Sequence, residues 1–217
     1  DGIVIAKEGR SGTVSAFVDK DGERALYVHP SVNDTLTFDE INLEYPKQTE
    51  FLHLTSVDEK PFQAQKKLIE ELPNVRVSLD PGEIYARRGL AELRPIIKHC
   101  FVVMPNESEV KLITGRSWKK GAKQLLLEGV RIVVVKLGEK GCYVTDGSQS
   151  HVIPPYKTEA VDTTGAGDAF CAGFLYGLTK KKSLYECGRL GNFVASKCIA
   201  KVGARTGLPR AHELKHF

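Results

Sequence analysis

An α/β fold on a largely parallel sheet is expected, and three observations predict it. Strand-length apolar runs alternate with helix-length amphipathic segments from Leu36 onward. Residues 130–135 are continuously apolar, as in a strand covered on both faces. Asp80, Asn106 and Lys136 each close a strand at its carboxyl end, where open α/β sheets hold their ligands.

The elements follow in order. Residues 14–18 and 24–29 flank Asp19-Lys20-Asp21-Gly22, a hairpin signal with Asp-Gly in the turn. Residues 51–54 read as a strand. Residues 62–72 read as a helix with Phe62, Leu68, Ile69 and Leu72 on its apolar side. A strand over 75–79 precedes a helix over 90–99, with a break expected at Pro95. A short strand at 101–104 leads to helices over 107–114 and 118–128, the second bounded by Ser117 and Gly129. After the strand at 130–135, short strands around Tyr143 and Val152 lead to a glycine-rich loop and two closing helices.

That loop, Asp162-Thr163-Thr164-Gly165-Ala166-Gly167-Asp168-Ala169-Phe170, carries most of the chemistry. Phe170, Phe174 and Leu178 recur every fourth residue, so it runs into a helix N-terminus. Gly165, Ala166 and Gly167 leave their backbone N–H groups unshielded there, where phosphate is readily held. A carboxylate at Asp168 is electrostatically awkward in such a place unless it takes a proton from an attacking hydroxyl. A dinucleotide turn fits poorly, because Phe170 stands where the third glycine belongs. A simple helix cap explains one or two of these residues and not the whole string. No Gly-x-x-x-x-Gly-Lys-Ser/Thr loop occurs in the chain.

This string, followed by Cys171-Ala172-Gly173-Phe174, resembles the second signature of the ribokinase-like (PfkB) carbohydrate kinases. Four further stretches resemble family segments in the family's order: Val77-Ser78-Leu79-Asp80-Pro81, Met104-Pro105-Asn106-Glu107-Ser108-Glu109, Val135-Lys136-Leu137-Gly138-Glu139-Lys140-Gly141, and Gly191-Asn192 with Gly203-Ala204. The hairpin from Ser11 to Arg24 resembles one of the family's lid hairpins. The resemblance implies a ribokinase-like sandwich with helices on both sheet faces. Residues 1–34 would form a partial β lid, and 35–217 the nucleotide-binding and catalytic core.

Through that resemblance, Asp168 is the expected base, and the Gly165, Ala166 and Gly167 N–H groups the anion hole. ATP and Mg²⁺ are the implied donor and metal, with a sugar or nucleoside as acceptor. Asn106 and Glu109 would place Mg²⁺ and its waters, while Asp162 and Thr164 would face a monovalent cation such as K⁺. Lys136, Gly138, Gly141, Asn192 and Gly203 would line the adenine and phosphate side. Blander readings stand beside these. Asn106 with Glu109 also fits an N-cap and its capping-box partner. Gly138 and Gly141 also fit a turn, and Asn192 a satisfied amide within an apolar helix. Tyr27, His29 and Arg24 fit packing and turn roles as well as substrate contact. The alternative function is a non-catalytic nucleotide-binding remnant with a structural or regulatory role.

Composition narrows the classes. With 31 basic and 27 acidic residues, the charge is too balanced to argue for nucleic acid. No signal peptide or membrane-length apolar run is visible, and the five cysteines lack metal spacing, so a cytoplasmic protein is expected. The first ten residues lack the glycine pair and sugar-contacting residues that family members carry upstream. The expectation is therefore a fragment. Val4, Ile5, Val14 and Phe17 would be uncovered, and the isolated chain would associate, through the lid as a homodimer or otherwise, without phosphorylating sugars.

Overall fold

The computed structural model describes residues 2–18 and 24–214. The Asp-Gly turn lies outside the described residues. The chain divides into two compact units.

The first unit spans residues 1–52 and 56–76. Strands β1 (Thr13–Val18) and β2 (Arg24–His29) pair antiparallel, from Thr13 opposite His29 to Val18 opposite Arg24. Helix α1 (Glu59–Glu70) buries Phe62, Leu68 and Ile69 of the expected stripe together with Ala64, and Leu72, also expected, is buried just past its end. Val4, Ile5, Val14 and Phe17 are exposed, Ile5 at 86%.

The second unit holds the core of a six-stranded sheet in the order β3–β4–β5–β6–β7–β8. These strands are Phe51–Thr55, Arg76–Asp80, Cys100–Val103, Ile132–Lys136, Cys142–Thr145 and Ser150–Ile153. β4, β5 and β6 run parallel, whereas β6–β7 and β7–β8 are antiparallel. The parallel expectation therefore holds for the centre and gives way at one edge. Only Leu137–Gly141 and Asp146–Gln149 join the last three strands, and such short links can only make hairpins.

Helices cover the sheet: α2 (Gly82–Ile97), α3 (Glu107–Thr114), α4 (Trp118–Leu127), α5 (Ala166–Thr179) and α6 (Leu184–Ile199). Ile132, Val133, Val134 and Val135 are all buried, as their unbroken apolar run requires. One core cluster joins Val102, Ile132, Val134 and Val144 to Phe170 and Phe174 of α5. α2 begins earlier than expected and bends at Gly89, not at Pro95. Gly89 has φ 72°, which glycine adopts without strain, while Pro95 keeps the helical φ that its ring prefers. All five cysteines are buried and unpaired. Among the described residues no helix is long and apolar enough to cross a membrane.

Candidate active site

The parallel strands deliver their last residues to one place. Met104 donates its N–H to Leu79 O at 2.8 Å, and Lys136 donates its N–H to Pro105 O at 2.9 Å. A parallel bridge also sets Asn106 beside Lys136. Three residues spread over the sequence thus share one sheet edge.

Lys136 Nζ lies 2.5 Å from Asp80 Oδ2, and the two side chains are only 14% and 11% exposed. A Cβ on Gly167 would stand 3.3 Å from that same Nζ. The ammonium therefore sits against the first turn of α5. Burial works against the Lys136 charge, but the Asp80 and Glu109 carboxylates outweigh it and raise the pKa. Of these, Asp80 is the close carboxylate. Burial pushes the Cys171 thiol well above its ordinary range, so it stays protonated and donates to Asp80 Oδ2 at 3.4 Å. Asp80 Oδ1 is buried with no hydrogen-bond partner. Sequence reading placed Asp80 only at a strand end. Its pairing with a lysine 56 residues away has no local signal.

The glycine loop opens α5 as expected. Gly165 caps the helix with φ 78°, and Ala169 donates its N–H to Gly165 O at 2.9 Å. A Cβ on Gly165 would meet Ala204 Cβ at 2.6 Å, so both conformation and space demand glycine. Ala166 donates its N–H to Thr163 O at 3.3 Å. Asp168 is exposed in this first turn.

Beneath the loop, the Asp162 carboxylate accepts the Thr164 N–H at 2.9 Å and the Gly203 N–H at 2.9 Å. It ties the loop to the turn after α6. Asn106 and Glu109 form a complete capping box. Asn106 Oδ1 accepts the Glu109 N–H at 2.8 Å, and Glu109 accepts from the Asn106 N–H and Nδ2 at 2.7 Å each. Desolvation raises the Glu109 pKa, against the pull of Asn106 and Lys136. Asn192 and Gly141 meet at a third point. Asn192 Nδ2 donates to Ile153 O at 3.1 Å and Pro154 O at 2.9 Å, and a Cβ on Gly141 would fall 2.0 Å from Ile153 O. Gly138 has open space around its Cα. It lines a cleft of about 720 Å³ with Asn106, Lys111, Arg116, Trp118 and Lys136. Lys111, Arg116 and Trp118 belong to no motif in the sequence; Lys111 lies on α3, Trp118 opens α4 and Arg116 stands between them.

A positive helix end and a clamped ammonium thus lie side by side, with an exposed carboxylate in the same helical turn. The pfkB family carbohydrate kinase profile matches residues 1–211. The chain belongs to this family. As a pfkB carbohydrate kinase, it is 47% identical over 213 residues to an "uncharacterized sugar kinase" of Archaeoglobus fulgidus, covering 96% of this chain and 84% of that protein. It is 40% identical over 151 residues to a cytidine kinase of Thermococcus kodakarensis, covering 66% of this chain and 54% of that protein. A crystal structure of ribokinase from Thermotoga maritima superposes with a TM-score of 0.84 at 26% identity, covering 98% of this kinase and 71% of that chain. The ribokinase-like α/β fold expected from the motifs is thereby established.

The capping box of this pfkB kinase yields a discriminating variant. Glu109→Gln still caps α3 but loses its charge. If Glu109 serves only the helix, stability changes by less than about 1 kcal/mol and Mg²⁺ dependence stays the same. If it also holds hydrated metal, the Mg²⁺ requirement rises. We expect the second result, since Glu109 is buried beside Lys136, where a carboxylate for capping alone is costly. A Mg²⁺ titration of turnover reads the difference.

Proposed function

We propose that the chain moves the γ-phosphoryl of ATP to a hydroxyl of a sugar or nucleoside. One observation carries this reading: the exposed Asp168 carboxylate stands in the first turn of α5, at the positive end of the helix and next to Gly167, which faces the Lys136 ammonium. Asp168 takes the proton of the acceptor hydroxyl as oxygen attacks phosphorus. The Gly165 and Gly167 N–H groups, with Ala166 between them, receive the charge that builds on the equatorial oxygens. Lys136 adds a cation on the same side. Gly138 and Gly203, with Asn192 and Gly141 behind the β8 edge, shape the nucleotide wall.

Asn106 and Glu109 would hold Mg²⁺ through its waters, and this oxygen-rich pair, Glu109 buried and Asn106 half-buried, suits a cation that keeps much of its hydration shell. Mg²⁺ supplies charge neutralisation on the nucleotide phosphates. Asp162 and Thr164 would offer oxygens to K⁺ beneath the loop. The exposed apolar side chains of Val14, Phe17 and Tyr27 on the hairpin support association of two copies through it.

The test is acceptor-dependent ADP formation with Mg²⁺ present, across D-ribose, fructose and cytidine. ATP binding without any acceptor-dependent turnover would favour a nucleotide-binding remnant instead. Gly167→Val probes the phosphate cradle itself. Its side chain would press on the Lys136 ammonium and on the space for phosphate, without touching backbone. ATP affinity and turnover should both fall while the melting temperature is kept. Gly165→Val should instead destabilise the fold, because its Cβ meets Ala204. Unchanged ATP affinity in Gly167→Val would remove the loop from phosphate binding.

A further inference from the structure

His53 lies on β3, on the same sheet as Asp80. Its Nδ1 is 2.9 Å from Ser78 Oγ, and Ser78 is wholly buried on β4. That bond fixes the ring. His53 is nonetheless exposed, and its Nε2 makes no hydrogen bond among the described residues. Histidine is an unexpected choice here for packing alone, because one of its two polar nitrogens is anchored and the other presented to solvent. Ser78 stands two residues before Asp80 on β4, so the two side chains share one sheet face, and Asp80 holds the Lys136 ammonium against the first turn of α5, which carries Asp168.

We infer that His53 is a specificity-determining residue, whose Nε2 hydrogen-bonds a hydroxyl of the acceptor beside the one that Asp168 deprotonates, with Ser78 as its positioning residue. The inference rests on the phosphotransfer reading above for the acceptor's place. Either tautomer suits a hydroxyl. If Ser78 donates to Nδ1, Nε2 carries the proton and donates; if Nδ1 donates to Ser78, Nε2 accepts. A hydroxyl both donates and accepts, whereas a phosphate only accepts.

The local charge points the same way. Desolvation lowers the His53 pKa, against the raising pull of Asp80 and Asp168, so the ring is neutral at pH 7. The Lys136 charge is already answered by Asp80. In the reading above the Lys136 ammonium serves the phosphate side beside Gly167, which leaves the neutral ring to the acceptor. The structure thus matches His53 to a neutral polyhydroxy compound, a free sugar or a nucleoside.

The test compares His53→Ala, His53→Gln and Ser78→Ala with the parent chain, using D-ribose and cytidine as probes. Acceptor binding is measured by calorimetry and turnover by ADP release. Loss of one hydrogen bond should raise the acceptor Kd and KM by about 3- to 10-fold in His53→Ala. The KM for ATP and the melting temperature should stay unchanged. His53→Gln should recover part of the loss, and Ser78→Ala should cost less than His53→Ala. Acceptor KM unaltered in His53→Ala, with turnover intact, overturns the inference and leaves the phosphotransfer reading standing. Acceptor binding that depends on His53 without any phosphoryl transfer supports the inference and defeats that reading. A parent chain that binds neither probe at millimolar concentration overturns the inference, as does a variant whose ATP KM rises in step with its acceptor KM.

Discussion

Replacing Asp168 by Asn should lower turnover by about 10²–10⁴-fold while ATP binds no more weakly than before. Asn keeps the shape of the side chain and removes its capacity to take a proton. Asp168 is exposed in the first turn of α5, so little packing is lost. The carboxylate does favour the helix N-terminus, and its neutralisation costs at most about 1 kcal/mol of stability. Removing negative charge from a phosphate site also leaves ATP better tolerated. Steady-state kinetics, with a separate nucleotide titration, check both halves. Turnover within a few-fold of the parent enzyme would exclude Asp168 as the base.

The second large effect concerns the buried ion pair. Lys136→Met should destabilise the fold by about 3 kcal/mol, because it strands the Asp80 carboxylate, one oxygen of which is already without a partner. Turnover should fall as well, since the cation beside Gly167 is gone. Adding Asp80→Asn to Lys136→Met should restore most of the stability and none of the activity. Urea denaturation of the single and double variants reads the first effect, and kinetics the second. A loss below about 1 kcal/mol in the single variant would mean that the pair behaves as a surface contact. The pair also has a pH signature. The folded pKa of Lys136 is raised, so its stabilising effect is complete below the unfolded lysine value of about 10.4. That effect is lost as pH climbs through the folded pKa.

Family members of known structure extend beyond this chain; it covers 71% of the Thermotoga maritima ribokinase. The acceptor experiments above are therefore framed on binding as well as turnover. A chain that binds sugar and ATP but transfers no phosphoryl group would still locate both half-sites.

The amino-acid sequence by itself determined the alternating strands and helices and the glycine-rich loop at the head of α5. Apolar periodicity fixes strands and helices locally, because each needs one face or stripe buried. The Asn106–Glu109 box is legible for the same reason, since its partners lie three residues apart on one helical turn. The hairpins β6–β7–β8 were equally implicit in their short links, though the strand alternation pointed to parallel pairing. The tertiary structure alone decided which distant groups meet. Asp80 finds Lys136 across 56 residues, because parallel strands bring their carboxyl ends together whatever the chain length between them, and His53 on β3 finds Ser78 on the neighbouring β4 across 25. It also decided that Asn192 holds the β8 edge through Ile153 and Pro154, and that Gly165 must be glycine because Ala204 lies against it. Such contacts depend on packing between elements, and packing leaves no periodic trace in either partner's own sequence.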